Sequence, residues 1–239
     1  MPVSNLERAH AFNYQLQRLM IGVAAGLLPI LVFFFGCDQL TSISASYHSD
    51  ARDIFVACLS AVGGLMLPYQ GKDATEKEEF WLAKVGGLAA LVVAFVPTAC
   101  PPTGEPSYTC LVDVACSTAN ESVHIGAAIV VFGILVRLCW IFHNRALAKK
   151  NEEGPMAAIR AYVYRGCIAA NLLGFIIIAL TKTDVNLGAT AMFRGEAILL
   201  GAFSIAWLTA SQLILVDPKV RPTLMPKGQS TVEVKPDPS

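Results

Sequence analysis

The chain has 239 residues, of which 54% are hydrophobic and only 15% charged, with eighteen basic against eighteen acidic side chains and a mean hydropathy of +0.54. Soluble domains carry roughly 25% charged residues, so so thin a coat excludes a soluble globular enzyme and a disordered chain, and zero net charge without a basic stripe excludes a nucleic-acid binder. The composition is that of an all-α, polytopic membrane protein.

Six apolar runs follow in chain order. Leu19 to Gly36, Ile54 to Gly71, Val85 to Gly104 and Ala197 to Val216 contain no charged residue and reach the roughly 18-residue threshold of a membrane helix. Two more, from about Val123 to Phe142 and from about Tyr162 to Thr181, are interrupted by Arg137 and Arg165. They predict a bundle of six transmembrane helices at about residues 18-36, 53-70, 81-99, 123-143, 161-181 and 193-216. The first follows Arg8 and Arg18 as a secretory signal would, but its apolar stretch is too long for one and no Ala-x-Ala-like site follows, so it reads as an uncleaved helix. Residues 217-239, with five prolines among polar neighbours, read as a disordered cytoplasmic tail.

Basic residues set the direction. With both termini cytoplasmic, fourteen Lys and Arg fall inside, among them Arg18, Lys84, Arg145, Lys149 and Arg160, against Arg52, Lys182 and Arg194 outside. Tyr69, Trp81, Trp140 and Tyr162 mark the inner interface, and the expected location is the cell membrane. Gly22-Val-Ala-Ala-Gly26, Gly63-Gly64 and Gly86-Gly87 are small-residue surfaces suited to close helix packing. Cys37, Cys100, Cys110 and Cys116 fall on the oxidising side and are disulfide candidates. Cys100 could pair with Cys110 or Cys116 across the proline-rich loop, or all four could be free thiols.

A mixed set of polar groups gathers at the outer helix ends: Ser44, His48, Arg52, Asp53, His124, Arg194 and Glu196. Ionisable groups at a membrane boundary are costly unless paired or facing a wet cavity. Asp53 at a helix start is explained by the macrodipole alone. Glu196 is followed by twenty uncharged residues, and its partner is expected from another helix, with Arg52, His48 and His124 the candidates. Trp207 lies on the same face, about 16 Å deeper, as a core residue or the floor of an outward pocket. His48, His124 and Glu196 could together hold zinc, whose ligands are imidazole and carboxylate. Arg137 lies close enough to the inner interface to snorkel, and Asn171 could hydrogen-bond across helices.

The stretch from Ser44 through Tyr47, His48, Arg52 and Asp53 to Phe55, followed by Tyr69-Gln-Gly71, Val96-Pro97-Thr98, His124, Glu196 and Trp207, resembles a segment of uncharacterised multipass bacterial membrane proteins. That resemblance implies six helices and no particular chemistry. Ser44, His48 and Asp53 are also similar to part of the zinc set of the alkaline ceramidases and adiponectin receptors, although Glu196 stands where those hydrolases have a late His pair and the spans number six, not seven. The function expected from these residues is structural or small-ligand binding at the outer polar cluster, with the bilayer and a small hydrophobic or lipid molecule as partners. The alternative is a metal-dependent hydrolase of lipid at the outer leaflet, using zinc to activate water.

Overall fold

The computed structural model describes residues 5-36, 40-71, 77-98, 118-149, 155-183, 185-212 and 215. They form six α-helices: α1 Asn5–Phe35, α2 Arg52–Met66, α3 Lys77–Phe95, α4 Thr118–Ala148, α5 Pro155–Leu180 and α6 Ala191–Ala210. A 3-10 turn, Ser44–His48, leads into α2. The all-α fold class holds. The tail from residue 217 and the cysteines Cys37, Cys100, Cys110 and Cys116 lie outside the described residues.

Each helix packs on its neighbours in sequence, and α6 closes on α1, so the bundle is a ring in chain order with a lesser contact of α4 on α6 across it. The seams rest on small residues. At the crossing of α2 and α3, a Cβ on Gly63 would lie 2.7 Å from the Gly87 carbonyl oxygen, so only glycine allows the backbones to approach this far. At the seam of α1 and α6, the Ser204 hydroxyl fits against Gly26 and donates to the Gly22 carbonyl at 2.7 Å. Gly64, in contrast, has nothing near where its Cβ would stand, so only one glycine of that pair is used in packing.

Four helical stretches, Phe12–Phe35, Asn120–Ala148, Pro155–Leu180 and Ala191–Ala210, are long and apolar enough to cross a membrane. Six spans were expected, and α2 and α3 fall short for different reasons. The 15 residues of α2 reach only about 22 Å at 1.5 Å each, against roughly 30 Å of hydrocarbon. The first turns of α3 carry Lys77, Glu78, Glu79 and Lys84. The outer surface is that of a membrane protein: Phe33, Phe34 and Phe35 are 69%, 71% and 63% exposed, a contiguous apolar face that water would penalise.

Helix limits also depart from the apolar runs. Helix α1 starts well before Leu19, because Leu6 to Gln17 holds neither glycine nor proline and continues the helix through polar residues that interrupt the apolar run. Helix α6 stops at Ala210, where Gln212 takes a left-handed conformation with φ 59°, rather than running on to Val216.

Candidate functional site

Of the residues around the expected outer end, Tyr47, His48 and His124 are drawn together by one unfinished helix end. The carbonyls at and just past the end of α3 have no intrahelical donor, and side chains from other elements supply one to each of three of them. The Tyr47 hydroxyl donates to the Phe95 carbonyl at 3.3 Å. His48 Nε2 lies 3.1 Å from the Thr98 carbonyl, and His124 Nδ1 lies 2.6 Å from that of Val96. A carbonyl only accepts, so each of these ring nitrogens carries the proton. Arg52 stacks its guanidinium over Tyr47 at 4.9 Å and reaches its hydroxyl at 3.4 Å.

Glu196 serves a second junction. Its Oε2 accepts from the backbone N–H of Ile43 at 2.5 Å and of Ser44 at 3.4 Å, and its Oε1 accepts from the Ser44 hydroxyl at 3.4 Å. The Phe193 N–H donates to the Thr41 carbonyl at 3.0 Å, so the start of α6 and the segment before the 3-10 turn are tied twice. The partner of Glu196 is therefore backbone, not Arg52, His48 or His124. Among the described residues no group of three or more His, Cys, Asp or Glu could hold a metal ion, and nothing supports the likeness to the ceramidase-type hydrolases. Asp53 stands exposed in the first turn of α2, Arg194 is exposed, and Trp207 lies apart, against Tyr69, Phe142 and Phe203.

Beside Glu196 a cavity of about 200 Å³ opens between α4, α5 and α6. Its walls are apolar, with Ile125, Ile129, Phe132, Phe175 and Ile178, and its rim carries Ser44, Glu121, His124, Lys182 and Glu196. A smaller chamber of about 30 Å³ continues inward past Glu196 toward Phe55 and Leu200. Ile125 and Ile129 are themselves 41% and 61% exposed, so the cavity opens sideways. His124 is only 2% exposed, and with Nδ1–H given to Val96 its Nε2 is a buried acceptor that meets no partner among the described residues. Such an atom costs about 1–3 kcal/mol if left unmet.

The inner end holds a denser network that the sequence reading missed. Glu79, with no accessible side-chain surface, accepts from Arg145 at 2.5 Å, from Arg18 at 3.2 Å and from the Tyr69 hydroxyl at 2.6 Å. Arg18 also donates to Tyr69 at 2.8 Å through Nε, to the Ala210 carbonyl at 2.9 Å, and to the Tyr14 hydroxyl. Its guanidinium lies over Tyr14 at 4.2 Å and Phe142 at 5.2 Å. Burial opposes ionisation of Glu79, but the Arg145 hydrogen bond, the Arg18 charge and the Tyr69 hydroxyl outweigh it and hold the carboxyl below its usual range. The signal was present: Arg18 adjoins the first apolar run and Glu79 stands just before the expected third span at 81-99, an unlike pair at one depth. On the rim of this end Arg137 makes a two-pronged bond to Glu78 at 2.6 and 2.9 Å, with both side chains about half exposed. Asn171 bonds back to the Cys167 carbonyl within its own helix at 2.8 Å rather than across the bundle.

A family described as a protein of unknown function (DUF998) matches residues 44-210. No curated protein and no solved structure matches the chain.

Proposed function

We propose, taking as premise that the chain belongs to the DUF998 family of proteins of unknown function, that it is a six-span membrane protein whose outer cavity receives a hydroxyl-bearing amphiphile. The observation that carries this is the buried Nε2 of His124, which meets no partner among the described residues, beside an apolar cavity of about 200 Å³. An acceptor there calls for a donor, and apolar walls call for a hydrocarbon chain. For scale, an engineered apolar cavity of about 150 Å³ binds benzene. The cavity is thus suited to a head group and the first carbons of a chain, with the remainder leaving past Ile125 and Ile129 into lipid.

Six crossings are supported by what α3 touches. Glu79 near its start bonds Arg145 in the last turn of α4, and Val96 just past its end bonds His124 near the start of α4. Those contacts follow α4 over about 32 Å of helix at 1.5 Å per residue, the thickness of the hydrocarbon core. Helix α2 is completed at one end by the 3-10 turn and at the other by Leu67 to Tyr69, whose hydroxyl reaches Arg18. The basic residues then put Arg18, Arg145 and both termini on the cytoplasmic side.

A metal-dependent hydrolase would need His48, His124 and Glu196 to share one ion, whereas each already serves a different backbone group. The binding reading is tested with a long-chain alcohol bearing a diazirine on its chain, photolysed with the protein in nanodiscs. Labelling is expected on α4 around Ile125 to Phe132 and on α5 around Phe175, with competition by unlabelled alcohol and loss in Ala128→Phe, which fills the cavity. Uncompeted labelling spread evenly over lipid-facing residues such as Phe33 and Leu172 would overturn it.

A further inference from the structure

We infer that the amphiphile received by the outer cavity is a cation, a long-chain amine whose ammonium group seats at Glu196. This rests on the proposed binding role of that cavity and adds the charge of its occupant.

Glu196 lines both the cavity of about 200 Å³ and the smaller chamber of about 30 Å³ behind it. The hydrogen bonds that it accepts come from the Ile43 and Ser44 N–H groups and the Ser44 hydroxyl, none of which bears a charge. Both bonds from Ser44 are 3.4 Å long, at the weak end of hydrogen bonding, so Oε1 keeps room for a stronger donor. No cation among the described residues forms an ion pair with Glu196. A carboxylate beside apolar walls is costly without one, and its attraction for an arriving cation is larger there than in water.

The other groups on the wall favour the same sign. His124 Nε2 only accepts, because Nδ1 carries the proton, and it meets no partner among the described residues. An ammonium brings N–H donors and no acceptor, which matches a wall whose buried polar atoms accept. Phe132 and Phe175, in edge-to-face contact at 6.2 Å, put aromatic rings on the wall, and ring faces attract cations. Glu121 adds a second acid at the rim, against Lys182 as the base among the described lining residues. Lys182 is exposed, so water and salt screen it, whereas Glu196 is half-buried. An ionised carboxylate head could meet Lys182, but it would set a second negative charge against Glu196 and bring no proton for His124.

Two probes of equal chain length, a primary alkylamine and the corresponding alcohol, each with a diazirine on the chain, are photolysed separately with the intact chain in phosphatidylcholine nanodiscs. Partitioning of each probe is measured on empty nanodiscs, so that labelling is compared at equal membrane concentration. The amine is expected to reach half-maximal, competable labelling of α4 around Ile125 to Phe132 at about tenfold lower concentration, the difference between a charge-assisted hydrogen bond and a neutral one. Glu196→Gln, which keeps the shape and an acceptor oxygen, should remove that advantage and leave labelling by the alcohol as in the wild type. Ser44→Ala, which keeps the carboxylate, should preserve the advantage. The inference is overturned if the amine has no advantage in the wild type, a comparison that needs no variant, or if Glu196→Gln retains it. Should the alcohol label the cavity and the amine gain nothing, the cavity stands as a binding site and only the charge of its occupant is misassigned; should neither probe label it, both are overturned.

Discussion

Glu79 shows how much one carboxylate can organise when it is wholly buried. Two guanidiniums and a phenol close on it from α1, α4 and the chain after α2, so its removal takes from Arg18 and Arg145 the carboxylate that they share. Glu79→Gln is expected to cost about 3 kcal/mol at neutral pH, read as a lowered unfolding midpoint. The acid side gives a second reading. A carboxyl held below its usual range when folded contributes stability that is complete above its unfolded value, about pH 4.3, and is lost as pH falls through the folded value. The wild-type midpoint should therefore drop below about pH 4, and Glu79→Gln should lack that limb; superimposable acid profiles would refute the assignment. His124 closes a helix end with one ring nitrogen, while the other, buried, meets no partner among the described residues. Nothing in its local sequence distinguishes it from an interfacial histidine, because the carbonyl it serves is 28 residues away.

Individual elements are limited by how closely their backbones approach and how they end. Gly63→Val would drive side-chain atoms into the Gly87 carbonyl, 2.7 Å from the first of them, and should cost about 1–3 kcal/mol by forcing α2 and α3 apart. Gly64→Ala, with open space around it, should instead gain about 0.5–1 kcal/mol of helix stability. Parallel melts of the two variants check the pair, and equal losses would show the seam to be misplaced. At the end of α6, Gln212→Gly relieves a left-handed φ of 59° and should stabilise by about 1 kcal/mol; an unchanged midpoint would mean that the strain is taken up elsewhere. Apolar runs found these elements well where lipid contact dictated the sequence, as in α4 and α6. They found helix ends poorly, because α1 extends into polar sequence and α6 stops inside an apolar stretch, and hydropathy carries no record of either. The outer residues were legible as a group, but the partners of His48, His124 and Glu196 were not, since each of these three bonds backbone from a distant segment.

At the scale of the whole molecule the proposed six-crossing arrangement makes its own prediction. In intact cells a membrane-impermeant maleimide should label Asn186→Cys, between α5 and α6, above the wild-type background. It should label Gln70→Cys, between α2 and α3, only after permeabilisation. Labelling of Gln70→Cys from outside would mean that α2 and α3 do not cross as a pair. The ring order of the helices bears on assembly. Five of its six seams join helices adjacent in the chain, so each can form as soon as its second helix is made, with little loop-closure entropy. The sixth waits for the last helix. Until α6 arrives, Gly22 and Gly26 face no partner and Arg18 lacks the Ala210 carbonyl. The serine–glycine seam is therefore the buckle of the structure, and a ribosome halted before Ala191 would leave five helices held as an open strap with its inner charge network one acceptor short.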